Sequence, residues 1–298
     1  MAQRRFFRLS RPSIFVGILL LLVIMVAIPF ALQRNQSPLQ PIDQLYVFGD
    51  SLSDVGNVYR ATGGAYPPSP PYFKGRYSNG EVWVEQLATR LNLSQTQVKN
   101  FAWGGATTGR TGIGSVPGIL TQVDQFVQSQ SSFNAQALYV LWAGANDYLY
   151  SGATPSASID NLTQAIQTLT QRGAKRFLIG NVPDLGRLPA TRNNANATAL
   201  SQTAIAHNQT LNTSLDRMVQ QSKIQLALLD VSKIYQNASS NPGQFGLTNV
   251  TAAYLDTRSG NPNQFLFWDG IHPTTSAHKI LGDQAFTIVQ TQIAVRSE

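Results

Sequence analysis

Five short, mainly apolar runs recur along the chain: Leu45 to Phe48, Val98 to Ala102, Ala137 to Trp142, Arg176 to Gly180 and Ile224 to Asp230. They lack the strict polar alternation of a half-solvated strand, which predicts strands covered on both faces. Between them, apolar residues return at three- and four-residue spacing. The stretches are Val82, Trp83, Leu87 and Leu91, then Ile119 to Val127, Ser156 to Gly173 and Ala197 to Gln221, with Thr275 to Ile293 closing the chain. That period predicts amphipathic helices, with Asn79 as the N-cap of the first and Gly173 as the C′ residue of the third. Strands alternating with helices imply the α/β class, a five-stranded parallel sheet with helices on both faces and right-handed crossovers. Two stretches break the rhythm. Residues 60–79 hold Gly63-Gly64 and the cluster Pro67-Pro68-Ser69-Pro70-Pro71, and residues 235–268 are loop-rich. Structureless segments this long in a compact domain are usually functional, so both are expected to shape a pocket.

The first 40 residues stand apart from this pattern. Arg4, Arg5, Arg8 and Arg11 precede an uncharged run from Ile14 to Leu32, 19 residues long. That length is at the upper edge for a signal peptide and just enough to span a bilayer. No small-x-small cleavage site stands before Gln33, so a signal anchor through residues 14–32 competes evenly with a cleaved signal peptide. The arginines in front predict a cytoplasmic amino terminus and an exported remainder, secreted or anchored to the outer face of the membrane. The domain reading is therefore a leader with linker over 1–40 and one domain over 41–298. Five of the seven net positive charges lie in residues 1–40, which leaves +2 for the rest and argues against a nucleic-acid surface. The chain has no cysteine, which excludes disulfides, zinc–thiolate sites and a cysteine-linked lipid anchor. Charged residues make up 12% of the chain, a low share that suits an extracellular surface.

Candidate chemistry gathers at strand ends. The first strand runs into Gly49-Asp50-Ser51, the second into Asn100 to Gly105, and the third into Gly144-Ala145-Asn146-Asp147. Parallel strands share their carboxyl edge, so these loops converge where open α/β sheets bind ligands. Alone, Gly-Asp-Ser reads as a strand-ending turn or a serine at a helix start. Asp54 and Asn57 are spaced to brace that turn. Of three histidines, His207 and His278 fall mid-helix as surface or packing residues, whereas His272 lies in a loop three residues after Asp269. A carboxylate at that distance reaches the imidazole and fixes its tautomer, so Ser51, His272 and Asp269 together offer a nucleophile, its base and an orienting acid. The backbone N–H groups of Ser51 and Gly105 and the side-chain amide of Asn146 would face the developing oxyanion. Trp103 and Trp268 flank these blocks, as pocket lining or as core. Asp50, Asp54, Asp269 and His272 could also ligate a divalent ion, but few other His or Asp residues stand at strand ends to complete a metal site.

At this point the chain resembles the GDSL esterases/lipases, or SGNH hydrolases. The resemblance rests on four blocks in order: Phe48 to Asn57, Asn100 to Ala106, Gly144 to Asp147, and Asp269 to Pro273. In the second block the oxyanion glycine falls on Gly105 or the adjacent Gly104. The segments Gly75 to Gly80 and Asn181 to Gly186 look like accessory parts of the same family. The resemblance implies a flavodoxin-like α/β/α sandwich and hydrolysis of carboxylic esters through Ser51, His272 and Asp269, with no metal or cofactor. The expected partner is a small-molecule, lipid or acylated-sugar ester and the expected state a monomer. Other readings are a polysaccharide O-acetyl esterase or acyltransferase using the same triad, or a catalytically silent envelope-binding protein. No Gly-x-Ser-x-Gly surrounds Ser51, so the nucleophile elbow of α/β-hydrolases is not used.

Overall fold

The computed structural model describes residues 41–130 and 132–293. The hydrophobic run 14–32 therefore lies outside the described residues, and within them no helix is long and apolar enough to cross a membrane. Five strands form one sheet: β1 (Leu45–Gly49), β2 (Val98–Asn100), β3 (Leu138–Trp142), β4 (Arg176–Gly180) and β5 (Gln225–Leu229). All neighbours are parallel, in the order β2-β1-β3-β4-β5.

The uninterrupted apolar character of the strands follows from burial on both faces. Leu45 and Val47 of β1 join one core with Trp83, Leu87, Val140, Leu178 and Leu281. Tyr46 and Phe48 point the other way, into a core with Phe126, Tyr139, Ile159, Phe177 and Leu211. Because successive strand side chains alternate sides, an apolar residue at every position is what a doubly covered sheet requires.

Helices cover both faces. After the one-turn α1 (Asn57–Ala61), α2 (Trp83–Arg90) packs on the first face, and α3 (Ile119–Ser129) on the second. The short α4 (Ala145–Leu149) follows β3, and α5 (Pro155–Gln171) packs beside α3. Thr154 caps α5 by accepting from the Ala157 N–H at 3.3 Å. The 25-residue α6 (Ala197–Gln221) turns Leu200 and Ala204 to the first core and Leu211, Leu215 and Met218 to the second. Next comes α7 (Val231–Ser240). A second, two-stranded sheet of β6 (Asn249–Ala253) and β7 (Phe265–Phe267) follows, with the one-turn α8 (Tyr254–Thr257) between its strands. The described chain closes with α9 (Thr275–Ile288), whose last turn continues as a π-helix over Val289–Ile293.

Three expectations are corrected. Ser51 is not at a helix start: it sits in a tight turn, and α1 begins six residues later at Asn57. Asn79 does not cap α2. Its Oδ1 accepts instead from the Thr275 N–H at 2.8 Å, at the start of α9. Residues 235–268 are not mainly loop, because α7 occupies their beginning and the β6–β7 sheet with α8 occupies much of the rest.

Candidate active site

The order β2-β1-β3 makes the carboxyl end of β1 a switch point, where the chain leaves for opposite sides of the sheet. Ser51 lies two residues beyond it. The turn carrying Ser51 is built by Asp50, whose main-chain oxygen accepts from Ser53 N and Asp54 N, both at 3.0 Å. Asp50 Oδ1 takes the Leu52 N–H at 3.0 Å. The Ser51 N–H has no partner among the described residues. Behind the turn, Gln122 of α3 clamps the end of β1: its Oε1 accepts from Gly49 N and its Nε2 donates to Gly49 O, each at 2.9 Å.

Asp54 and Asn57 do brace this turn. The Asp54 carboxylate accepts from the N–H groups of Gly56, Asn57 and Val58. It also accepts from Gly104 N at 2.9 Å, which joins the serine turn to the glycine turn after β2. Asn57 Nδ2 donates to Ala102 O at 2.7 Å and to Asn100 O at 3.2 Å, and Asn100 Nδ2 returns a bond to Ser53 O at 2.8 Å.

That bond to Asp54 separates the two glycines. The N–H of Gly104 is committed, whereas that of Gly105 has no partner among the described residues. Gly105 holds φ +83°, a conformation that a side chain disfavours, and it lines the cleft above Ser51. A Cβ on Gly104 would overlap the Tyr77 ring. Asn146, buried at the start of α4, donates from Nδ2 to Ala106 O at 2.9 Å and faces the same cleft. One amide hydrogen thus fixes the side chain and leaves the second to the cleft.

Asp269 and His272 arrive from the other side, on the turn after β7. Trp268 N donates to His272 O at 2.8 Å and Thr274 N to Leu266 O at 3.0 Å, so the second sheet holds this turn in place. Asp269 Oδ1 accepts from Ile271 N at 2.8 Å and His272 N at 2.7 Å. Its Oδ2 lies 2.7 Å from His272 Nδ1, and His272 Nε2 lies 2.8 Å from Ser51 Oγ. Ser51, His272 and Asp269 therefore form one continuous hydrogen-bonded line, the serine and histidine 221 residues apart in sequence. Burial works against the charge on Asp269, yet His272 beside it and the hydrogen bonds it receives bring its carboxyl down to about 2. Asp50 behaves oppositely. Burial, with a smaller push from Asp147, raises its carboxyl to about 7 against the opposing effects of the Leu52 N–H and His272.

The cleft holds about 470 Å³ and opens over Ser51. Val58, Tyr66, Tyr77, Ile113, Val116, Tyr150 and Ile271 give it apolar walls. The 60–79 loop does shape it, but the 235–268 segment contributes nothing to its lining; the excursion at 113–116 does so instead. Trp103 and Trp268 are not among the lining residues, and Trp268 is core, stacked on Tyr254 at 5.2 Å. His207 and His278 are fully buried, so the surface alternative fails for both. Tyr72 and Gln122 escape a reading of the sequence, and Tyr77 stands in it only as part of the accessory segment Gly75 to Gly80. The signal for Tyr72 is an aromatic-rich, proline-rich loop too long to be idle.

A family profile described as GDSL-like Lipase/Acylhydrolase matches residues 45–285. The chain belongs to that family. It is 30% identical to the phosphatidylcholine-sterol acyltransferase of Aeromonas hydrophila, over 84% of this chain and 90% of the relative. It is 27% identical to the thermolabile hemolysin of Vibrio parahaemolyticus, over 84% of this chain but 65% of the longer hemolysin. Among solved structures, the native aryl esterase of M. smegmatis superposes with a TM-score of 0.52 at 15% identity, covering 84% of this chain and all of that one. That likeness is one of fold. As a GDSL family member the chain is an enzyme acting on ester bonds.

Proposed function

We propose that the chain is an extracytoplasmic serine esterase that cleaves carboxylic esters through an acyl-enzyme on Ser51. The observation that carries this reading is the line Ser51 Oγ–His272 Nε2–Nδ1–Asp269 Oδ2, with links of 2.8 and 2.7 Å. His272 takes the Ser51 proton as the oxygen attacks the ester carbonyl, and later gives it to the departing alcohol. Asp269, ionised above about pH 2, holds the tautomer that leaves Nε2 free to accept and stabilises the imidazolium. The N–H groups of Ser51 and Gly105 and the second amide hydrogen of Asn146 receive the oxyanion. Water then attacks the acyl-enzyme with His272 again as base. No residue on this route calls for a metal or cofactor.

Three of the five exposed large apolar side chains among the described residues, Tyr66, Ile113 and Tyr150, ring the mouth of this cleft. That rim favours an apolar acyl group over a charged or strongly polar one. The export reading draws on the arginine-flanked run 14–32, with residues 41–298 as the hydrolase domain. A fluorophosphonate probe tests the nucleophile: peptide mapping is expected to place a single adduct on Ser51. An unlabelled Ser51, or an adduct on another residue, would contradict the assignment.

A second reading, acyl transfer to an alcohol other than water, draws on the acyltransferase relative. Added glycerol or a sugar acceptor would then divert the acyl group from the free acid. Product analysis showing only free acid would count against transfer.

A further inference from the structure

One contact reaches the catalytic line from the proline-rich loop. The Tyr72 hydroxyl donates to Asp269 Oδ2 at 2.7 Å, the same oxygen that meets His272 Nδ1. Oδ1 is filled by the N–H groups of Ile271 and His272. One carboxylate oxygen thus serves its own turn, while the other is shared between a phenol and an imidazole. The phenol is itself held. Tyr72 N donates to Pro68 O at 3.1 Å, and its ring stands edge-on to Tyr77 at 6.4 Å. Tyr77 in turn lies 5.1 Å from the His272 ring. Burial, with the Asp269 charge beside it, pushes the Tyr72 hydroxyl well above its ordinary range, so it stays protonated and can only donate to a carboxylate.

We propose that Tyr72 is a positioning residue that acts through Asp269, fixing the carboxylate and taking a share of the Oδ2 charge otherwise felt by His272. This rests on the Ser51–His272–Asp269 reading. A restrained Oδ2 keeps the imidazole turned so that Nε2 meets Ser51. A second donor on the same oxygen also weakens the pull of Asp269 on the imidazolium proton, Asp50 and His278 being the other titratable groups coupled to His272. Tyr72 is no catalytic residue in this scheme, because it touches neither substrate nor reacting atoms.

Tyr72→Phe removes the hydroxyl and keeps the ring. In the full chain hydrolysing p-nitrophenyl butyrate, kcat is expected to fall about tenfold with KM changed by less than about twofold. The acid limb of kcat/KM is expected to move up by about half a pH unit. Introduced on an Asp269→Asn background, the same change is expected to cost under about twofold, because the group it acts through is gone. 3-Fluorotyrosine at position 72, nearly isosteric and a stronger donor, is expected to move the limb down, and this covers the case in which the phenylalanine variant folds poorly. An unmoved limb in both variants, or the full tenfold loss on the Asp269→Asn background, overturns the proposal. A wild-type profile without an acid limb would instead overturn the triad reading on which it rests.

Discussion

The carboxylate of Asp54 joins two turns that must keep register for the site to exist. Three of its hydrogen bonds hold the serine turn, and the fourth, from Gly104 N, holds the turn that presents Gly105. Burial raises its carboxyl while these N–H groups oppose the rise. An amide at this position would turn one acceptor into a donor facing N–H groups. Asp54→Asn is therefore expected to cost roughly 2–3 kcal/mol of stability and to lower kcat more than KM is raised. Thermal melts and steady-state kinetics check this, and an unchanged kcat in a folded variant would show the two turns to be independent. Residues of this kind divide by how local their signal is. Asp269 and His272 are legible because three residues in a turn suffice to join them, and Asp54 and Asn57 because they follow Ser51 closely. Tyr72 meets Asp269 across 197 residues and Gln122 meets Gly49 across 73. Such contacts carry no periodicity or spacing, so only tertiary packing shows them.

The elements were legible where a two-sided core dictates them, and illegible where their partner is remote. β4 and α6 match their predicted bounds, because a continuous apolar run and a sustained 3.6-residue period are each set by the surface they bury. Asn79 shows the opposite case. Its position ahead of α2 suggests a local cap, yet it accepts from the first N–H of α9, while Ser78 Oγ donates to Pro273 O at 2.9 Å. The Ser78-Asn79-Gly80 segment thus anchors the helix that closely follows His272. Asn79→Ala is expected to cost about 1 kcal/mol and to reduce activity by loosening the histidine turn, read as a lower melting temperature and a smaller kcat. Melting unchanged within error would contradict that role. The β6–β7 sheet carries no signal in the sequence because β6, Asn-Val-Thr-Ala-Ala, has no apolar run and β7 adds only three residues to it. The cleft rim makes a separate claim. Ile113→Asp places a charge against the acyl group, so kcat/KM for p-nitrophenyl octanoate should fall by about tenfold or more relative to the acetate. An unchanged octanoate-to-acetate ratio would mean the acyl chain leaves by another route.

Across the whole molecule, buried titratable groups pull stability in opposite directions with pH. His207 and His278 are buried, and burial lowers them to about 4 and about 3. In both, the unfolded chain binds protons first as pH falls below about 6.5, so their contribution is present above that pH and is lost toward pH 4 for His207 and toward pH 3 for His278. Asp50 has the reverse sign. Its carboxyl is raised to about 7 in the fold, so its contribution is fully present below about pH 4 and is lost as pH rises to 7. Asp50→Asn keeps an acceptor for Leu52 N and removes this penalty. Its stability gain over wild type should therefore be small at pH 4 and grow to on the order of 4 kcal/mol by pH 8. Denaturant midpoints at the two pH values measure it, and an equal effect at both would refute the buried-acid account.

If ester cleavage runs through Ser51, steady-state kinetics of Ser51→Ala on p-nitrophenyl butyrate will show it. Ser51 is buried but lines the cleft, and its side chain packs in no apolar core, so the variant should keep the wild-type melting temperature while kcat/KM falls by at least about a thousandfold. A folded Ser51→Ala variant retaining activity within about tenfold of wild type would mean that another group carries the cleavage.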